Sequence, residues 1–139
     1  MANPFVHVEL NTTDLGKAKN FYSKLFDWTL EDTAMPGMTY TMIKVGEGTG
    51  GGMQKSPMPG VPSSWLAYVQ VDDIAASTQK AKSLGATIIK DVTEIPEVGW
   101  FSIFADPTGA ALALWAALRC RARSCHCRSR RTHRFRWCW

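Results

Sequence analysis

Two side chains near the start of the chain are spaced to exchange a proton. His7 and Glu9 lie two residues apart in FVHVEL, and a strand sends residues i and i+2 to the same face. An imidazole beside a carboxylate can work as an acid–base pair near neutral pH. Asn11 continues that face, while Val6, Val8 and Leu10 are expected on the other. Two other motifs carry less chemistry. Asp72 and Asp73 open a helix, where capping accounts for them better than a metal pair does. The run GEGTGGG, Gly46 to Gly52, lacks the Gly-Lys-Ser/Thr ending of a phosphate loop, and no helix follows it. It reads as a hairpin or a pocket rim.

The elements that must position these residues come as two copies of one pattern, over 5–54 and 64–115. At an offset of 59, Leu10 meets Val69, Asp14 meets Asp73 and Leu25 meets Leu84; nearer the end an offset of 61 sets Tyr40 on Phe101. Each copy starts with an apolar strand. Thr12, Thr13 and Asp14 then offer N-cap oxygens to a helix whose apolar spacing runs through Leu15, Ala18, Phe21, Tyr22, Leu25 and Phe26. Phe21, Tyr22 and Trp28 are expected in the core or, failing that, at a dimer contact. Met38 to Val45 is a strand after the Pro36-Gly37 turn, and a short strand follows around Met53. In the second copy the helix face is Ile74, Thr78, Ala81 and Leu84, stopped by Gly85. Thr87 to Ile89, Trp100 to Phe104 and Ala110 to Trp115 are strands, the last two joined by the DPTG turn.

Strands alternating with single helices also suit a parallel doubly wound sheet, but two helices cannot cover about eight strands. The expected fold is α+β: two tandem βαβββ modules forming a curved mixed-sheet cup with the helices outside. Module one spans about 4–54, a Pro/Gly-rich linker 55–63, and module two about 64–116, within a single domain of residues 1–118.

Charge divides the chain sharply. All 8 Lys and all 12 acids precede residue 119, whereas all 8 Arg and all 4 Cys lie at or beyond it. The body therefore carries −4 and the tail +8, and the basic balance belongs to the tail. Residues 119–139 admit three readings: a disordered nucleic-acid-binding arm, a zinc site, or an out-of-frame product. The Cys125-His126-Cys127 spacing suits zinc poorly, and the abrupt exchange of Lys for Arg favours the out-of-frame product. No apolar stretch reaches membrane-span length, and the start lacks a secretory signal. A body without cysteine suits a reducing compartment, so a cytoplasmic protein is expected.

HVELNTTDLGKAKNFYSKLFDW, WLAYVQVDDIAASTQKAKSLGA and FADPTGAALAL, in that order, resemble the vicinal oxygen chelate superfamily of glyoxalases, bleomycin-resistance proteins and extradiol dioxygenases. The resemblance covers about residues 4–116. It implies paired βαβββ modules, a homodimer, a small-molecule ligand in the cup and, in many members, a divalent metal held by four ligands. Those positions fall here on His7, Gly52, Leu66 and Ala113. One coordinating side chain of four is too few, since catalytic metal sites generally keep three protein ligands. A divalent metal is therefore disfavoured and no cofactor is expected. The cup itself is assigned to Gly52, Leu66, Tyr68, Gln70, Trp100, Ala113 and Trp115 as ligand-binding residues, with His7 and Glu9 catalytic. The implied function is a glyoxalase-like enzyme without metal, acting on a small carbonyl or oxygenated metabolite. The alternatives are a binder that sequesters its ligand and, more weakly, nucleic-acid binding through the tail.

Overall fold

Both helices begin at a capping aspartate. Asp14 accepts a hydrogen bond from the Lys17 amide at 2.9 Å, and Asp73 one from the Ala76 amide at 3.0 Å, each satisfying an N–H that the first turn leaves open. The computed structural model describes residues 2–35 and 37–118. Pro36 of the expected turn and the tail 119–139 lie outside them. In chain order the elements are β1 (Phe5–Thr12), α1 (Leu15–Leu25), β2 (Thr29–Met35), β3 (Met38–Lys44), β4 (Gly51–Lys55), β5 (Ser64–Gln70), α2 (Ile74–Ser83), β6 (Thr87–Ile95), β7 (Gly99–Ala105) and β8 (Ala111–Ala117). Among the described residues, no helix is long and apolar enough to cross a membrane.

The eight strands form one mixed sheet in the order β2-β3-β4-β1-β5-β8-β7-β6, an α+β fold. β1 runs parallel to β4 and antiparallel to β5, and β5 is parallel to β8. At the centre Val8 pairs with Ala67, flanked by His7 opposite Tyr68 and Glu9 opposite Leu66. Two strand extents go beyond the sequence reading. β2, with sequence TLEDTAM, has no apolar alternation and is held by its seven-residue register on β3. β6 continues past Ile89 to Ile95 because it pairs with β7 along that length.

Alternation splits the core between the two faces of the sheet. On the helix side, Leu10, Ile43 and Met53 pack with Leu15, Ala18, Tyr22 and Trp28 of the first half. Val71, Ile74, Leu114 and Ala116 pack there in the second half. The opposite face holds Leu66, Tyr68, Ala113 and Trp115. Three expectations are corrected. Val6 packs with this last cluster instead of beside Leu10, because a bulge between Phe5 and His7 interrupts the alternation of β1. Phe21 is 57% exposed, and no residue of α1 is fully buried: Leu15, Ala18 and Tyr22 fill the inner stripe, leaving Phe21, Leu25 and Phe26 at its margin. Leu84 is 70% exposed because it is the C-cap residue, where the chain leaves the helix into Gly85 at φ 98°.

Candidate functional site

Glu9 is the centre of the site. It is 7% exposed, and four side chains aim donors at its carboxylate. Tyr68 Oη donates to Oε1 at 3.1 Å, Gln54 Nε2 to Oε1 at 3.1 Å and Asn11 Nδ2 to Oε1 at 3.3 Å. Tyr40 Oη donates to Oε2 at 2.9 Å. Gln54 Nε2 also donates to Asn11 Oδ1 at 2.8 Å, tying those two amides together. A buried carboxylate is expensive unless it is hydrogen-bonded, and this donor shell is what allows Glu9 to sit in the sheet.

His7 joins the same network through Tyr40. Its Nε2 lies 2.7 Å from Tyr40 Oη, and its ring stacks on Tyr40 at 6.4 Å and meets the edge of Tyr68 at 5.6 Å. Burial shifts the two titratable groups in opposite directions and inverts their usual order. Burial lowers the His7 pKa to about 4, and burial raises that of Glu9 against the opposing hydrogen bonds of its donors. The phenols of Tyr40 and Tyr68 are raised, first by burial and then by the adjacent Glu9 charge. At neutral pH the site therefore holds a neutral imidazole and two intact phenols.

The expected catalytic pair, His7 and Glu9, shares one face but makes no direct hydrogen bond; Tyr40 stands between them. Among the expected ligand-binding residues, Tyr68 reaches Glu9, and Leu66, Ala113 and Trp115 are buried with it among Val6, Phe101 and Ile103. Gln70 is half-buried at the end of β5, opposite Trp115. Trp100 lies on the other face, packed with Val71, Ile74, Leu114 and Ala116, since β7 presents Phe101 and Ile103 to the site side. Gly52 lies directly beneath Tyr40, and a Cβ there would overlap the Tyr40 hydroxyl and ring. The sequence reading missed Tyr40. Its available signal was a glycine inside a strand, which often marks a close approach by another group.

These residues do not fit a divalent metal centre. Leu66 and Ala113 offer no donor atom, Gly52 is covered by Tyr40, and the described residues contain no group of three or more His, Cys, Asp or Glu that could hold an ion. Beside the network, a cleft of about 530 Å³ separates the start of β3 from the end of β4. Met38, Thr39, Gln54 and Lys55 are among its walls. The β3–β4 ladder has only three pairs, Thr41–Met53 to Ile43–Gly51, so the strands part where the cleft opens. Gln54 belongs both to the cleft wall and to the Glu9 donor shell.

Fold and sequence together define the class. A profile of the Glyoxalase/Bleomycin resistance protein/Dioxygenase superfamily matches residues 5–114, and the chain belongs to that superfamily, the vicinal oxygen chelate group of the expected fold. Among curated relatives, CFP32 of Mycobacterium tuberculosis, provisionally named a glyoxylase, is 38% identical over 120 residues, covering 81% of this chain and 45% of that protein. The anthracycline biosynthesis protein DnrV of Streptomyces peucetius is 26% identical over 122 residues, covering 77% and 44%. The chain thus spans somewhat less than half the length of these relatives. Among solved structures, a hypothetical protein from Bacillus halodurans superposes with a TM-score of 0.66 at 14% identity, covering 85% of this chain and 96% of that one. Methylmalonyl-CoA epimerase from Mycobacterium tuberculosis gives 0.62 at 14% identity, covering 82% and 87%. These two likenesses concern the fold alone.

Proposed function

We propose that the chain is a proton-transfer enzyme acting on a small carbonyl or oxygenated metabolite, with His7 and Glu9 as its acid–base groups and no catalytic metal. One observation carries the reading: a half-buried imidazole and a buried carboxylate on the same strand are joined through one phenol. Burial lowers the proton affinity of the imidazole while raising that of the carboxylate, which suits passing a proton from one to the other. The ligand is placed against His7 on the face of the sheet that carries the network; the cleft beside Gln54 is not lined by His7 and reaches only the Glu9 donor shell. The names of CFP32 and DnrV, a glyoxylase and an anthracycline biosynthesis protein, support oxygenated small molecules as the ligand class. The test is deuterium wash-in from heavy water at carbon atoms next to the carbonyl, read by mass spectrometry across a panel of small aldehydes, ketones and α-hydroxy acids. Wild type is expected to exchange at least one compound, and His7→Gln to exchange it ~100-fold more slowly or worse. Equal rates for the two proteins would sink the reading.

The second reading is a sequestering binder. It is favoured by the completeness of the Glu9 donor shell and by the apolar packing of Leu66, Tyr68, Ala113 and Trp115. A ligand held tightly and recovered unchanged, with no wash-in, would select it. The reading includes a homodimer, whose contact we place on the exposed apolar surface of Phe21, Leu25, Phe26 and Trp65. Patches of this kind usually mark contacts. Light scattering is expected to give twice the chain mass for wild type and the single-chain mass for Phe21→Ser/Phe26→Ser. A monomeric wild type removes the assignment. The nucleic-acid alternative rests on the tail, outside the described residues.

A further inference from the structure

The geometry points to Tyr40 as the positioning residue that makes His7 and Glu9 one unit: seated on Gly52, its phenol holds the His7 proton on Nε2 and leaves Nδ1 as the working base. The inference rests on the acid–base reading above and adds a residue, a tautomer and a direction of proton flow.

Strand order creates the arrangement. β4 lies between β3, which carries Tyr40, and β1, which carries His7 and Glu9. A side chain of β3 can reach β1 only by crossing β4. The crossing point is Gly52, which pairs with Glu9 on one side and Met42 on the other. Tyr40, two residues from Met42, lies across this gap, where any Cβ would overlap its hydroxyl and ring. The position onto which the family resemblance places a metal ligand is here the opening that admits a phenol.

The hydroxyl has one proton and two close partners, Glu9 Oε2 at 2.9 Å and His7 Nε2 at 2.7 Å. While Glu9 is ionised, its oxygen can only accept, so the Tyr40 proton goes to Glu9 and Nε2 must donate to Tyr40. The imidazole is then the Nε2–H tautomer. Its Nδ1 carries the lone pair, makes no protein hydrogen bond and is not sealed off, because no buried side-chain nitrogen or oxygen among the described residues lacks a partner.

Protons balance along this line. Nδ1 takes a proton from a substrate carbon, and the C–H electron pair stays on the substrate as an enolate. The Nε2 proton moves to Tyr40 Oη as the Tyr40 proton moves to Glu9 Oε2. The result is a neutral His7 protonated at Nδ1 and a neutral Glu9 acid; the reverse sequence returns the proton to the substrate.

The test reads the tautomer directly. Long-range proton–nitrogen correlation spectra of the ¹⁵N-labelled full chain at pH 7, with His7 assigned by its absence in His7→Gln, distinguish protonated from bare ring nitrogens. Wild type is expected to show a protonated Nε2 and a bare Nδ1 at His7. Tyr40→Phe and Gly52→Ala are each expected to move both ring signals towards a tautomer average. A wild-type His7 protonated at Nδ1, or already averaged, overturns the inference whether or not the variants fold. So does a folded Tyr40→Phe protein with unchanged signals. No substrate is required, so a failed wash-in experiment leaves this result standing, and a failed tautomer experiment leaves any His7-dependent exchange standing.

Discussion

Glu9→Ala is expected to lower the unfolding free energy by about 4 kcal/mol at pH 7. A buried donor left without its acceptor costs roughly 1–3 kcal/mol, and four donors converge on this carboxylate. They do not lose equally. Gln54 and Asn11 keep their mutual bond, and Tyr40 keeps His7. Tyr68, itself buried, gives up its bond to Glu9 outright, and the missing side chain leaves a cavity. Against these losses stands relief from burying a charge, which can amount to several kcal/mol where pairing is incomplete. The donor shell is full, so the losses win. Glu9→Gln, which keeps an acceptor oxygen for the phenols, is expected to cost about half as much. Urea titration of the three proteins decides the matter. An alanine variant as stable as wild type would mean that the carboxylate is a net burden kept for chemistry alone.

The acid limb of stability is expected to belong to His7. Its folded pKa, about 4, lies below its unfolded value of 6.5. Between these values the unfolded chain binds a proton that the folded protein refuses, so stability falls as pH drops from 6.5 towards 4. Glu9 acts with the opposite sign: its folded pKa is raised, so its contribution is greatest below 4.5 and is lost as pH rises through the folded value. The charged and polar groups facing His7 are Glu9, through Tyr40, and the two phenols. Comparing wild type with His7→Gln isolates the histidine. Wild type should lose about 2 kcal/mol relative to the variant between pH 7.5 and pH 5. Parallel pH profiles would show that the His7 ring protonates freely in the folded state.

Much of this fold is written locally. Asp14 and Asp73 announce their helices because an N-cap needs only a short side chain and the next three residues. His7 and Glu9 fall on one face because the strand period is two. The errors come from neighbours distant in sequence. Tyr40 becomes part of the site only when β4 inserts between β3 and β1, an order that no local pattern states. Gly52 reads as a lost ligand until a phenol is seen lying over it. A bulge re-aims Val6, and the parity of β7 takes Trp100 to the helix side, because register is set by pairing and not by the strand's own sequence. The exposure of Phe21 follows from how narrow a stripe α1 presents to the sheet.

The bond between Glu9 and Tyr68 joins residues 59 positions apart, the offset at which the sequence pattern is expected to repeat. Val8 and Ala67, paired at the centre of the seam, also stand in that relation. Identical halves meeting along such an axis would set each side chain against its own image here. Two glutamates would face each other as like charges competing for one proton, and two tyrosines would offer no anion to bind. A carboxylate received by a phenol requires halves that are not the same. Joining the halves in one polypeptide lets each change without the other, and the asymmetry at this contact is a freedom that a symmetric pair of single modules would never have.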